Sequence, residues 1–301
     1  MERCAVTVDV GGRRGTTGLR RARSLVARVA LGCAAVSALA RDGSAQTASG
    51  VGILLRLHPR VGDTLRTRLD QLTEIVTQQS GGGSANPMTS KVMVLTRTIV
   101  QASRQATTTV LTVVDSAQVR SSDVHGSAMS AQAEKLLRGQ RLIVQLAEDG
   151  SVKSASDASG AAVTRDVAEA MAAMPAVLPR RAVAVGERWL REMPLPSAGP
   201  IGAGGTAQVR AEFRLDSLSA EGGVAFVSMR GQIASDADAR GVEMSGSMTG
   251  AMQIDRERGW MTDSFFTLLI HSVVTPPSGV AMQRMKFVTK ITQRLRTMDK
   301  R

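Results

Sequence analysis

The stretch TAQVRAEFRLDSL (206–218) constrains the fold of this chain more than any other. Ala207, Val209, Ala211, Phe213 and Leu215 alternate with Gln208, Arg210, Glu212, Arg214 and Asp216. Successive Cβ atoms on an extended backbone point to opposite faces, so a period of two predicts a strand with one dry face and one wet face. SAEGG (219–223) reads as a turn. VAFVSMRGQI (224–233) then returns with Ala225, Val227, Met229 and Ile233 on one side, completing a β-hairpin. MKFVTKITQRLRTM (285–298) alternates in the same way, with Met285, Phe287, Ile291 and Leu295 inward and Lys286, Lys290, Arg294 and Arg296 outward. That row of cations predicts an edge strand, where like charges discourage a further strand from adding. FFTLLIHSVV (265–274) is apolar on both faces and reads as a central strand.

The first half has the same grammar. TLRTRLDQLTEIV (64–76), VMVLTRTIV (92–100) and TTTVLTVVDSAQV (107–119) read as strands, and QRLIVQLAEDGSVKSAS (140–156) carries an Asp149-Gly150 hairpin turn. Its counterpart is AMQIDRERGWMTDSFF (251–266), turning near Gly259. One-sided alternation with short turns means antiparallel sheet. Two segments break the pattern. GSAMSAQAEKLLRG (126–139) suits a short helix. In GAAVTRDVAEAMAAMP (160–175), Val163, Val167, Ala170, Met171 and Met174 share one helical face and Pro175 ends it. The expected class is therefore mainly β, of the α+β kind: a curved antiparallel sheet or half-barrel packed on one or two helices. QQSGGGSANP (78–87) and PLPSAGPIGAGG (194–205) read as exposed loops.

Two short passages echo each other. RVGDTLRTRL (60–69) and AVGERWLREM (184–193) each place Val-Gly-acid ahead of a strand. Gly62 and Gly186 then head turns that need positive φ. The echo suggests pseudo-repeat halves, 50–175 and 176–301, within one β-rich domain spanning 46–301. Trp189 is expected to pack where the halves meet.

Residues 19–46, LRRARSLVARVALGCAAVSALARDGSAQ, have the layout of a secretory signal: Arg20, Arg21, Arg23 and Arg28, then an apolar run from Val29 to Ala40, then small residues suited to cleavage. Residues 1–45 are assigned to this leader. The 18 residues ahead of it point to an overlong basic region or a misassigned start. The expected location is the periplasm or the medium of a Gram-negative-type bacterium. Cys4 and Cys33 both fall in the leader, leaving the mature chain without disulfide, thiolate nucleophile or Cys metal site. Ala30 and Arg28 ahead of Cys33 argue against a lipidation box.

The net charge is +12, carried mostly by Arg in a chain rich in Ala, Gly and Val. Single-stranded nucleic acid would call for stacking platforms beside a basic patch, and the chain has no Tyr, five Phe and two Trp. Enzymatic signatures are equally thin. His58, His125 and His271 have no metal-ligand spacing; His271 is expected in the core and His58 on the surface. There is no G-x-S-x-G elbow. Gly202 to Ala207 fits a dinucleotide fingerprint only in spelling, because it opens a strand. The acid pairs Glu148-Asp149 and Asp255/Glu257 are expected at solvated turns. The expectation is no catalytic residue, no cofactor and no metal.

LRLHPRVGDTLRTRLDQ (55–71) and MPAVLPRRAVAVGERW (174–189) together resemble a family of uncharacterised secreted bacterial proteins with an early Gly-Asp-Thr strand start and a later LP…V.VG..W stretch. Leu178, Pro179, Val183, Val185, Gly186 and Trp189 carry the match; Glu187-Arg188 stands where Asp-Ser or a similar pair is the pattern. The resemblance implies export and a β-rich fold and brings no activity. More loosely, the plan is similar to periplasmic lipoprotein-carrier half-barrels. The expected function is an exported, non-catalytic binding protein holding an apolar or lipid-like ligand on the concave face, with Val163, Val167, Met171, Met174, Phe213, Met229 and Phe287 as contacts. The 15 Met residues suit an adaptable apolar lining. The alternative is a structural or interaction protein of the cell envelope with a closed core. Partners would be a lipid or other apolar small molecule, with at most peripheral membrane contact.

Overall fold

A computed structural model describes residues 52–79, 87–123, 126–159, 177–194, 208–235, 242–275 and 285–298. The leader, the proposed helix 160–175 with Val163, Val167, Met171 and Met174, and the loop centres at 80–86 and 195–207 lie outside the described residues.

The described chain forms one antiparallel sheet of 11 strands and one helix. The first group is β1 (Thr64–Gln79), β2 (Met88–Arg104), β3 (Thr107–Ser121), β4 (Arg141–Ala147) and β5 (Val152–Asp157). The second is β6 (Arg188–Pro194), β7 (Gln208–Leu218), β8 (Val224–Ser235), β9 (Val242–Asp255), β10 (Trp260–Val274) and β11 (Met285–Thr297). Each group is a meander of consecutive neighbours. They join through β1 and β11, giving the order β5-β4-β3-β2-β1-β11-β10-β9-β8-β7-β6. The sheet is not closed, and β5 and β6 are its edges. β11 therefore sits mid-sheet with partners on both sides, which overturns its assignment to an edge. Three of its four outward cations are matched across strands instead: Lys290 to Glu74 at 3.1 Å, Arg294 to Asp263 at 3.1 Å and Arg296 to Asp70 at 3.3 Å.

The tight turns gather at one end of the sheet. Gln105 and Ala106 carry positive φ between β2 and β3, Gly150 lies in the β4–β5 turn, and Gly259 in the β9–β10 turn. At this end the two Val-Gly-acid passages adopt the same hydrogen-bonded turn. Gly62 has φ +92° and Gly186 φ +87°. The Asp63 and Glu187 carboxylates accept from the N–H groups of Arg60 (3.0 Å) and Ala184 (2.7 Å). Gly62 N–H donates to the Val100 carbonyl as Gly186 N–H does to that of Leu215. In each the acid is a turn cap that launches a strand.

The inner face carries the core, and alternation selects it. Val209, Ala211, Phe213 and Leu215 are buried along β7, as are Ala225, Val227, Met229 and Ile233 along β8. Gly250 of β9 leaves room for the neighbouring strand here, because a methyl on it would clash with the Phe265 carbonyl oxygen and meet the Phe266 Cβ at 2.8 Å. Trp260, at the start of β10, packs on Val100, Val110, Leu142 and Val144 of β2 to β4. The first and second halves thus approach each other across the concavity.

Two irregular segments fill the turn end of that concavity. Ile53 and Val183 form a two-way backbone bridge, at 2.8 and 3.0 Å. Leu57 and Leu178 donate to the carbonyls of Glu148 and Asp149 in the β4–β5 turn, and His58 donates to that of Gly259 in the β9–β10 turn. Leu55, Leu178 and Val183 are among the most deeply buried side chains, packed with the β6 to β10 face.

Helix α1 (Gly126–Leu137) covers a stretch of β3 that β4 does not reach, since β4 pairs only Thr107 to Val113. Ala133 and Leu137 pack with Leu69, Val92, Val94, Ala117 and Val119, and the Glu134 carboxylate accepts from Val119 N–H at 2.8 Å. A side-chain acceptor thus satisfies a ladder donor that β4 leaves unpaired.

Candidate functional site

Register lines up the inner face in rows across the strands. One row runs Trp189, Phe213, Met229, Gly250, Phe266, Gln293, Gln71 and Val92 from β6 to β2. Its β6–β8 end is apolar and tightly packed: the Trp189 and Phe213 rings stack at 5.7 Å and 13°. Its centre is polar, with Gln71 and Gln293 buried and the Gln71 amide donating to Thr73 Oγ1 at 3.2 Å. The seam between the two halves is thus the polar part of the inner face, and the Met-rich part belongs to the second half.

Trp189 lies away from the strand seam of the halves, a correction in part to its expected place, since it still shares a core cluster with Leu55 of the first half. β6 is an edge, and the halves meet at β1 and β11. Its indole N–H donates to the Val177 carbonyl at 2.9 Å, tying the 177–183 segment to the sheet. Arg191, two residues on and on the same face, is only 6% exposed and donates through Nη2 to the Leu178 carbonyl. Burial pushes its guanidinium below the usual arginine value; Arg180 adds to this and Asp149 opposes it. Two side chains of one edge strand therefore hold the plug in register.

The sequence-proposed contacts separate by depth. Phe213 is 0% and Met229 7% exposed, so both belong to the packed core beneath any ligand. Phe287 lies on the inner face away from the turn end, opposite Ser272 of β10, and is half-buried. Phe266, Met244 and Ile291 share that half-buried state and pack against the core from its edge. Half-buried apolar side chains thus flank the buried core on both sides, Leu57, Val177 and Met261 at the turn end and Met244 and Phe287 at the other. Sequence reasoning missed Phe266, Met244 and Ile291 as candidate contacts; the inward parity of Ile291 was legible, but that of Phe266, on a strand apolar on both faces, was not.

Other expectations are corrected. His271 points outward and is exposed, because its neighbours Ile270 and Ser272 take the inner face. Asp255 is buried at the end of β9 rather than solvated; its Oδ1 accepts from the N–H groups of Glu257 and Arg258, so it caps the turn. Asp149 is half-buried. Burial alone would raise its pKa, but the hydroxyl and N–H of Ser151 and the Arg180 guanidinium together hold it below the usual carboxylate range. Among the described residues no group of His, Cys, Asp and Glu could hold a metal ion. Among them, too, no helix is long and apolar enough to cross a membrane.

The model of a family of unknown function (DUF6263) matches residues 164–261. That span includes Leu178, Pro179, Gly186 and Trp189 and runs through β6 to β9. No curated protein matches the chain. Solved structures resemble it weakly. DynF from the dynemicin biosynthesis pathway of Micromonospora chersina is 8% identical, with 87% of this chain and 94% of that chain covered and a TM-score of 0.22. The outer membrane protein AlkL in DMPC bilayers is 8% identical, with 87% and 98% covered and a TM-score of 0.13. The outer membrane protein OprG of Pseudomonas aeruginosa is 9% identical, with 81% and 98% covered and a TM-score of 0.13. These scores fall below that of a shared fold.

Proposed function

We propose that this protein is an exported, non-catalytic binding protein that holds an acyl-chain-like apolar ligand along the inner face of its sheet, from the row of Phe266 to the strand ends away from the tight turns. The observation that carries the reading is the half-buried group Phe266, Met244, Ile291 and Phe287, set at the edge of a Met-rich core. Met side chains adapt to irregular apolar guests, and ligand sites are concave and mostly apolar. Phe213 and Met229 form the base on which these contacts rest.

The test is extraction and mass spectrometry of protein purified without detergent from its native source, followed by titration of the stripped protein with N-phenyl-1-naphthylamine. A co-purifying apolar compound and saturable probe fluorescence, weakened by Phe287→Asp, are the expected results. A second reading, an envelope structural protein with a closed core, draws on Leu55, Leu178 and Val183, which already fill the turn end. It is supported instead if no compound is extracted and the probe stays dark.

A further inference from the structure

The outer face of the sheet carries a second concavity. Where β11, β1, β2 and β3 lie side by side, one outward row runs Thr292, Leu72, Lys91, Arg120. The next runs Arg294, Asp70, Met93, Gln118. These rows border a hollow of about 420 Å³, within the usual size of small-molecule sites.

Its charges are arranged in an unusual way. Lys91 and Arg120 are direct cross-strand neighbours, both exposed. Neither has an acidic partner among the described residues, whereas the nearby cations of β11 are all matched to acids. Like charges placed directly opposite weaken a strand pair, so the fold maintains this pair at a cost. The one carboxylate bordering the hollow, Asp70, is already engaged: it accepts from Arg68 at 2.8 to 3.0 Å and from Arg296 at 3.3 Å. An entering anion therefore meets two unmatched cations beside a neutralised acid. Leu72 adjoins Lys91 across the strands and Met93 follows two residues along β2, so an apolar patch lies next to the positive one.

We propose that this hollow binds a small amphipathic anion, its acidic group (carboxylate, sulfonate or phosphate) held by Lys91 and Arg120 and its apolar body lying over Leu72 and Met93. The site is separate from the inner face and does not depend on what that face binds. Charge-assisted hydrogen bonds from a guanidinium and an ammonium supply the attraction, and their exposure makes it sensitive to salt.

Two fluorescent probes with the same ring pair test this on the full chain. 8-Anilinonaphthalene-1-sulfonate carries the acid, and N-phenyl-1-naphthylamine lacks it. In the double variant Lys91→Gln/Arg120→Gln, sulfonate affinity is expected to fall about tenfold or more, the loss of roughly one charge-assisted contact. Affinity for the neutral probe should stay unchanged. Both positions are exposed, and removing like-charge repulsion should leave the urea midpoint level or raised, which separates binding from folding. Sulfonate affinity that is indifferent to the double substitution overturns the proposal. So does a result in which only co-sedimentation with phosphatidylglycerol vesicles is lost, for that makes the patch a membrane-docking surface. Failure of the inner-face reading shows separately, as absent binding of the neutral probe.

Discussion

Trp189 ties the residue scale together. Its ring is stacked on Phe213, its N–H holds the Val177 carbonyl, and it is 8% exposed on an edge strand. Trp189→Ala should cost about 3–5 kcal/mol, the range for a buried large aromatic, read from urea denaturation. Trp189→Phe keeps a ring for stacking but orphans the Val177 carbonyl, and should lose less, about 1–3 kcal/mol. Its burial was legible in a chain poor in aromatics; its partners were not, since nothing local links 189 to the 177 backbone. A second prediction concerns the capping acids. Asp149 is held low as described above. Glu187 is also held low, first by the Ala184 N–H, against some burial, and with help from Arg181. Folded-state values below the unfolded ones mean that their stabilisation is complete above the unfolded values, near about pH 4. It is lost as the pH falls from there through the folded values. The urea midpoint should therefore drop as the pH falls below about 4. Asp149→Asn should lower the midpoint at neutral pH and make that drop shallower. An equally steep acid limb in the variant would remove Asp149 from the account.

Strands show most clearly what a sequence can and cannot convey. Inward parity along β7, β8 and β11 follows directly from alternation, because Cβ direction depends only on position in the strand. Neighbours are another matter. The row Lys286, Lys290, Arg294, Arg296 looks like edge protection until Asp263 is found on the preceding strand β10, and Glu74 and Asp70 on the far more distant β1. The turn acids were legible as turns, since Val-Gly-acid recurs, yet the shared hydrogen bonds of Asp63 and Glu187 emerge only from geometry. The inner mouth was partly legible through Phe287. Phe266 was not, because a strand apolar on both faces conceals which side is deep. Replacing Lys290, Arg294 and Arg296 together by Gln should remove about 0.2–1 kcal/mol per pair, as half-exposed pairs do. The measurable signs are a small Tm decrease that high salt mimics in the parent and no rise in self-association by light scattering. Marked oligomerisation of that variant would restore the edge-strand idea against the observed pairing.

At the scale of the molecule, the mainly β class and the helix at 126–137 were readable, because both rest on local periodicity. The joining of the halves through β1 and β11, and the plug at 53–58 and 177–183, were not. They depend on which distant surfaces meet, and short apolar passages such as ILLRL (53–57) resemble any brief strand. The plug nevertheless bears on global stability. Leu55 is 1% exposed although it lies outside every strand. Leu55→Ala should cost about 2–5 kcal/mol, with faster hydrogen exchange in the β4–β5 and β9–β10 turns that the 57–58 backbone contacts. A loss confined to the 53–58 segment, with both turns still protected, would show that the plug is an attachment and not part of the core. The central pairing of β1 with β11 also has a consequence for the time order of folding. Arg296 and Asp70, neighbours across that pair, are 226 residues apart along the chain. The middle of the sheet is thus assembled from the first and the last of the described strands to emerge during synthesis. Until the last one arrives, β1 offers an open flank to any extended peptide, and closing so long a loop is slow. This makes the nascent protein most vulnerable to mispairing at the place where the finished one is best covered, and makes shielding of β1 the step on which a productive yield depends.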